Sequence, residues 1–286
     1  MIDQPPPTTG KVALVTGATS GIGRAAAISL ASRGYRTIVV GRDAARGVEV
    51  VDELHRVGGG GEFLSFNLLN LADIRRLAHE VTERYRRLDV LLNNAGGTFR
   101  AKALSPDGIE RTFALNAVAP YALTTALLAP LQSGEGRVVN VVTQIPARTR
   151  LNIDELTDPP RYNPFAAYSR AKLALIALTL EQADRYSEAG ITPLAVHPGI
   201  VFGTRFGKED MPAWLNRLGP IAARLLRRPT TTIEAAGDRL AHAATAAFAP
   251  GTILAEGGLY DPPTAATDPT LRKRLWELLD ALTTPS

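Results

Sequence analysis

Cysteine is absent from this chain, which excludes disulfides, thiolate nucleophiles and thiolate metal sites and leaves the redox compartment open. Long apolar runs are missing too. None reaches the ~18 consecutive residues that a membrane-spanning helix requires, so no membrane anchor is expected. Residues 1–10 are proline-rich and have neither a basic stretch nor an apolar core, so they do not read as a secretion signal. A flexible tail on a cytoplasmic protein is the expectation. Histidine is scarce, and His55, His79, His197 and His242 form no H-E-x-x-H or other close ligand pair. No metal site is expected, which excludes metal-assisted hydrolysis. The missing G-x-S-x-G likewise excludes a serine hydrolase elbow.

Hydrophobic residues make up 45% of the 286 and charged residues 21%, with a mean hydropathy of −0.00. That balance describes a soluble globular protein, sized for one large α/β domain or two small ones. Lysine and arginine outnumber acids by 32 to 28, giving a net charge of +4 and a pI near 9.5. The cations are spread among acids, so they read as solvated helix faces and no nucleic-acid partner is expected.

Short apolar runs alternate with helical patterns along the chain. Strands are expected at Val12–Thr16, Arg36–Val40, Phe63–Phe66, Val90–Leu92, Arg137–Val142 and Ile191–His197, the fifth as a fully apolar strand. Helices are expected at Ile22–Ser32, Val48–Val57, Ile74–Tyr85, Gly108–Leu131 and Ala166–Arg185. This rhythm predicts an α/β fold with a doubly wound parallel sheet of Rossmann type, as one domain over residues 11–286. Gly58 to Gly61 reads as a surface turn. Two segments break the rhythm, Gln144–Pro164 and Phe202–Thr232. Both follow strands, so both are expected to wall a site beyond the strand carboxyl ends. Residues of about 200–232 are expected to form a helical substrate lid. Its apolar bulk with Arg205, Lys208 and Arg217 suits a lipophilic carbonyl compound, with an acid group as one option. The same pattern fits a helix that packs Trp214 and Leu215 inward and leaves the arginines in water.

Thr16-Gly17-Ala18-Thr19-Ser20-Gly21-Ile22-Gly23 joins the first strand to the first helix. Glycines there permit a tight turn and close approach of backbone to a pyrophosphate at the helix N-terminus, although an ordinary strand–helix turn uses the same residues. The second strand ends in Arg42 where an acid would hold an adenosine ribose. A guanidinium fork suits a 2′-phosphate, so NADP(H) is expected over NAD(H), an exposed loop arginine being the alternative. Tyr168 and Lys172 stand at i and i+4 on one helix face. A nearby ammonium, together with an oxidised nicotinamide ring, favours phenolate and is expected to lower the Tyr168 pKa from its usual ~10.

Taken together, four motifs resemble the short-chain dehydrogenase/reductase family, and their order from Lys11 to Gly199 is the family's own. They are the T-G-x-x-x-G-x-G loop, Asn93-Asn94-Ala95-Gly96, Tyr168-x-x-x-Lys172 and Pro198-Gly199. Asp107-Gly108-Ile109-Glu110, Phe113-x-x-Asn116, the 25 positions from Thr143 to Tyr168, and Arg274-Leu275-Trp276-Glu277-Leu278 are similar to retinol-dehydrogenase-like members and their closing helix. The resemblance implies that Tyr168 moves a proton to or from the substrate oxygen and that Lys172 assists it and holds ribose hydroxyls. It also implies that Thr143 hydrogen-bonds the substrate oxygen and Asn116 holds a relay water. NADP(H) would then lie against Gly17, Thr19, Ser20, Gly21, Ile22 and Gly23, then Arg42, Asn67 and Leu68. Beyond these it would meet Asn94, Ala95 and Gly96, Tyr168 and Lys172, and Pro198, Gly199 and Val201.

Three departures accompany the resemblance. Thr143 stands in the usual Ser position, Asn67 replaces an adenine-contacting Asp, and the turn after Gly199 is stretched, displacing Thr204 by one. The leading expectation is an NADP(H)-dependent oxidoreductase of a lipophilic ketone or secondary alcohol, with an aldehyde as a further option. Two other readings keep the fold: non-redox acid/base chemistry (cyclisation or elimination), and cofactor binding without turnover. The joint presence of Tyr168, Lys172 and Asn116 favours an enzyme. A homo-oligomer, dimer or tetramer, is left open.

Overall fold

Val12 to Thr16 are five consecutive buried residues. With no polar face to turn outward, the segment is stable as the interior strand of a sheet covered on both sides. The computed structural model describes residues 10–146, 148–201 and 230–284, and places this segment, β1, inside an eight-stranded sheet. After it come α1 (Gly21–Ser32), β2 (Arg36–Gly41), α2 (Ala44–Arg56), β3 (Gly61–Ser65), α3 (Leu71–Arg84) and β4 (Val90–Asn93). Next are α4 (Arg111–Ala126, with a π turn over Ala114–Val118), α5 (Leu128–Gly134), β5 (Arg137–Val141), α6 (Pro164–Tyr186) and β6 (Thr192–Val196). The last described elements are α7 (Ile233–Thr245), β7 (Ile253–Ala255), β8 (Gly258–Leu259), α8 (Thr264–Thr267) and α9 (Pro269–Thr283).

The strand order is β3-β2-β1-β4-β5-β6-β7-β8. Pairing is parallel throughout except for β8, which returns antiparallel to β7. Winding reverses between β1 and β4, and in open α/β sheets that switch point opens a ligand crevice at the strand carboxyl ends. Side chains alternate between two cores. Val12 and Leu14 join a layer with α3, α4, α6, α8 and α9, whereas Ala13 and Val15 join one with α1, α2 and α7. On the first side, α9 buries Leu275 and Leu279 and sets Trp276 edge-on to Tyr121, ring centroids 5.0 Å apart, and to Tyr186 at 5.9 Å. This is the closing helix that the resemblance implies.

Several elements differ from expectation for local reasons. The Gly58–Gly61 run is not wholly a surface turn. Gly61 opens β3, where a Cβ would lie 2.1 Å from the Thr37 carbonyl oxygen, and a Cβ on Gly59 would lie 2.3 Å from that of Ala31. The helix expected from Gly108 starts at Arg111, because the Glu110 carboxylate accepts the amides of Thr112 and Phe113 at 2.7 and 2.9 Å. It breaks after Ala126 and resumes as α5 at a bend of 67°. Pro130 has no N–H to continue the ladder to the Ala126 carbonyl. Strand β5, expected as fully apolar, carries a buried amide instead. Asn140 accepts from Asn93 Nδ2 at 2.9 Å and donates to Thr179 Oγ1 at 2.9 Å. Of the expected lid, residues 202–229 lie outside the described residues, as do residues 1–9 of the expected tail. A bridge between Val201 and Thr231 joins the two sides of that gap.

α1 and α7 cross where α7 has no room for a side chain at Gly237. A Cβ on Gly237 would lie 2.5 Å from Ala25 Cβ and 2.7 Å from its carbonyl carbon. Alanine would gain about 1 kcal/mol in helix propensity, but overpacking here costs about 1–3 kcal/mol. Gly237→Ala is therefore expected to lower the urea midpoint, and a raised midpoint would show that the crossing has slack.

Candidate active site

The cleft begins where β1 hands over to α1. Gly17, at φ +64°, turns the chain, and Gly21, at φ +57°, opens the helix. The other contacts of this loop differ in kind from those expected. A Cβ on Gly23 would sit 2.3 Å from Asn94 Nδ2, and one on Gly17 would lie 2.9 Å from Ala95 Cα. These two glycines make room for the β4 loop, and both also line the cleft. Asn94 Nδ2 donates to the Thr16 carbonyl at 2.8 Å, and Thr16 Oγ1 accepts the amides of Asn94 and Ala95, both at 3.0 Å. Ser20 at the start of α1 makes no capping hydrogen bond and the first turn holds no acid. Asp43, Asn70, Asn163, Thr232 and Asp268 cap α2, α3, α6, α7 and α9. The α1 amides beside the cleft are thus left for an anion.

Arg42 follows β2, is exposed, and lines the same cleft. Its neighbour Asp43 is a rival signal that the sequence reading passed over, because an acid there suits a free ribose. The structure commits that carboxylate elsewhere. It accepts the Arg46 amide at 3.2 Å and pairs with the Arg46 guanidinium at 3.3 Å. Among the described residues, the Arg42 guanidinium has no hydrogen bond and no ion pair. Asn67 and Leu68 line the cleft after β3. Asn67 Oδ1 already accepts the Leu69 amide at 3.2 Å, and its second lone pair remains for a donor.

Tyr168 and Lys172 reach the cleft from α6, and Thr143 from the end of β5. Thr143 is half-buried. Lys172 is 3% exposed, donates to the Val141 carbonyl at 2.7 Å, and stands 5.9 Å from the Tyr168 ring centroid. Burial pushes its ammonium down to about 7 and pushes the Tyr168 phenol above its usual range. The lowered phenol pKa expected from the sequence does not arise in the protein alone, since desolvation favours the neutral form of both groups. Asn116 does not line the cleft. From the π turn of α4 it donates to the carbonyls of Gly97 and Thr112, both at 2.8 Å, and accepts the Gly97 amide at 3.3 Å. It holds the floor of the site by backbone contacts. A Cβ on Gly96 would lie 2.7 Å from Asn116 Oδ1 and 3.3 Å from Lys172 Nζ.

The remaining wall is the turn from His197 to Val201. Gly199, at φ +102°, would place a Cβ 2.7 Å from Thr231 Cγ2 and 3.1 Å from an Arg239 nitrogen. Arg239 of α7 donates to the Pro198 carbonyl and pairs with Glu256 at 3.4 Å. His197 is pushed below its usual pKa, chiefly by burial, in keeping with a structural role. Sequence reasoning missed Arg239 and Glu256, because no motif links positions so far from the turn they hold. It also missed Phe99 and Arg111, which line the cleft. Thr204 lies outside the described residues.

All the expected cofactor-contacting residues share this one cleft of about 610 Å³. It follows the carboxyl ends of six adjacent strands, β3 to β6 in sheet order, which at about 4.8 Å spacing span roughly 24 Å. Such a groove, with open amides at its middle and a guanidinium near one end that has no partner among the described residues, fits an extended dinucleotide.

A sequence model described as short chain dehydrogenase matches residues 11–213. The chain is 32% identical over 278 residues to a protein of Streptomyces sp. strain C5, provisionally named a daunorubicin C-13 ketoreductase; the match covers 94% of this chain and 91% of that protein. Human retinol dehydrogenase 13 is 30% identical over 279 residues, covering 93% and 82%. A crystal structure from Beutenbergia cavernae is provisionally described as an NAD(P)-dependent gluconate 5-dehydrogenase with bound NADP at low occupancy. It aligns with a TM-score of 0.65 at 28% identity, covering 87% and 96%.

Lys172 makes stability depend on pH. In the unfolded chain it is protonated below its usual 10.5, and in the folded protein only below about 7. The unfolded state thus binds more protons between these values, and stability rises with pH across the window. Without nucleotide, Lys172→Met is expected to be the more stable protein at pH 7, by on the order of 4 kcal/mol at most. The gap should close towards pH 10. Urea melts of both proteins at several pH values check this, and parallel curves would remove the buried-ammonium account.

Proposed function

The chain belongs to the short-chain dehydrogenase/reductase family, as an oxidoreductase enzyme acting on a small molecule with a nicotinamide cofactor. From that premise we propose that it prefers NADP(H) and interconverts a ketone and a secondary alcohol on a lipophilic substrate, with Tyr168 as general acid and base. One observation carries the reading. Tyr168, Lys172 and Thr143 meet the glycine loop and the Pro198-Gly199 turn in a single cleft, near whose other end Arg42 is uncommitted. The provisional ketoreductase name of the Streptomyces relative and the NADP of the Beutenbergia structure support it.

The α1 amides and Gly17 would hold the pyrophosphate, Arg42 would take the 2′-phosphate, and Asn67 would offer an oxygen to the adenine amine. When bound, the nicotinamide supplies or accepts the hydride. In the reducing direction the Tyr168 hydroxyl donates its proton to the carbonyl oxygen while the Thr143 hydroxyl orients that oxygen. A phenol kept neutral by burial is already in the donating state. In the oxidising direction Tyr168 must become a phenolate, and for this Lys172 has to take up a proton. A buried amine with a pKa near 7 does so readily at neutral pH.

Tyr168→Phe is expected to cut NADPH oxidation with a lipophilic aryl ketone about 10²- to 10⁴-fold while nucleotide binding persists. Unchanged turnover would refute the acid/base role. Arg42→Asp is expected to weaken NADPH binding at least about tenfold, the scale of one charge-assisted bond, and to move preference towards NADH. A preference that stays put in fluorescence titrations would refute the 2′-phosphate assignment.

A further inference from the structure

One cation in the cleft is used neither by the fold nor by the reading above. Arg111, the first residue of α4, is half-buried and lines the cleft. Its guanidinium carbon sits 4.0 Å from the Phe99 ring centroid, and among the described residues it has no hydrogen bond from its side chain and no ion pair. Stacking on an aromatic face restrains the guanidinium plane and leaves its edge donors open to a planar anion.

The platform beneath it is itself fixed. The Tyr162 hydroxyl donates to the Phe99 carbonyl at 2.6 Å and lies 3.1 Å from Thr112 Oγ1. Tyr162 belongs to the segment that leads into α6, six residues ahead of Tyr168. Asn116, five residues along the same helix as Arg111, holds the Gly97 backbone, and the adjoining Gly96 lies beside Lys172. Five helical residues rise about 7.5 Å, so the Arg111 corner adjoins the reacting end of the cleft. It is carried by the helix after β4, while Arg42 follows β2, two strands away in the sheet.

We propose that Arg111, stacked on Phe99, is a substrate subsite for a carboxylate, and that the enzyme acts on carbonyl compounds bearing an acid group remote from the reacting carbon. This rests on the NADP(H) oxidoreductase reading above. The lipophilic body and the acid are compatible in one molecule, because the cleft offers Phe99 and Leu115 beside the guanidinium.

The test is a matched pair of aldehydes, 4-carboxybenzaldehyde and methyl 4-formylbenzoate, with NADPH oxidation followed by absorbance and NADPH binding by fluorescence. The wild type is expected to favour the acid in kcat/KM, by at least about tenfold. Arg111→Met should lower the acid-to-ester ratio by a similar factor through KM, with NADPH affinity held within about threefold. Arg111→Lys, which keeps the charge and loses the planar fork, should retain part of the ratio. A wild type that binds NADPH but shows no acid preference overturns the subsite, as does a ratio that survives in Arg111→Met. If Arg111→Met instead weakens NADPH and slows both aldehydes alike, Arg111 is a cofactor contact and the subsite is wrong. If the wild type binds no NADPH, the underlying reading falls, and the subsite with it.

Discussion

A single side-chain amide organises the centre of this molecule. Asn94 donates to the Thr16 carbonyl and occupies the space that a side chain at position 23 would need. Thr16 returns the contact by accepting the amides of Asn94 and Ala95. The end of β1, the first turn of α1 and the loop after β4 are thereby locked at the switch point of the sheet. The shape of the glycine loop follows, and with it the direction in which the uncapped α1 amides point. A residue larger than glycine at 23 would drive Asn94 out and leave buried polar groups on both strands without partners.

Burial dominates the electrostatics of the reacting end. Lys172 is held 3% exposed against the Val141 carbonyl, and both it and Tyr168 are pushed towards their neutral forms. For the proposed reaction, an amine poised near neutrality would be more useful than a permanent ammonium, since it could both take and return a proton. The other cations that line the cleft stand elsewhere, at Arg42, which is exposed, and at Arg111, which is half-buried. Under the proposed function, charge is segregated along the cleft, with fixed cations for anions and titratable groups for protons.

Holding the site together depends on long-range contacts. Asn116 grips Gly97 from a π turn, and Tyr162 pins Phe99. Arg239 and Glu256 brace the turn after β6. Each is far in sequence from the residue it positions. Asp43 shows the same point in reverse. Beside Arg42 it looks like a competing signal for ribose, and only its pairing with Arg46 shows where its charge is spent.

The alternation of apolar runs and amphipathic stretches determined the parallel sheet, because continuous burial on both faces of a strand is written residue by residue. Short motifs likewise marked residues that line the cleft: the glycine loop, Asn94 to Gly96, the Tyr168–Lys172 pair and Pro198-Gly199 each lie within a few neighbouring positions. Tertiary structure alone decided what those groups experience. The protonation bias of Lys172, the freedom of Arg42, the stacking of Arg111 on Phe99 and the brace from Arg239 arise from desolvation and from contacts between distant segments. Neither is encoded in any local spacing.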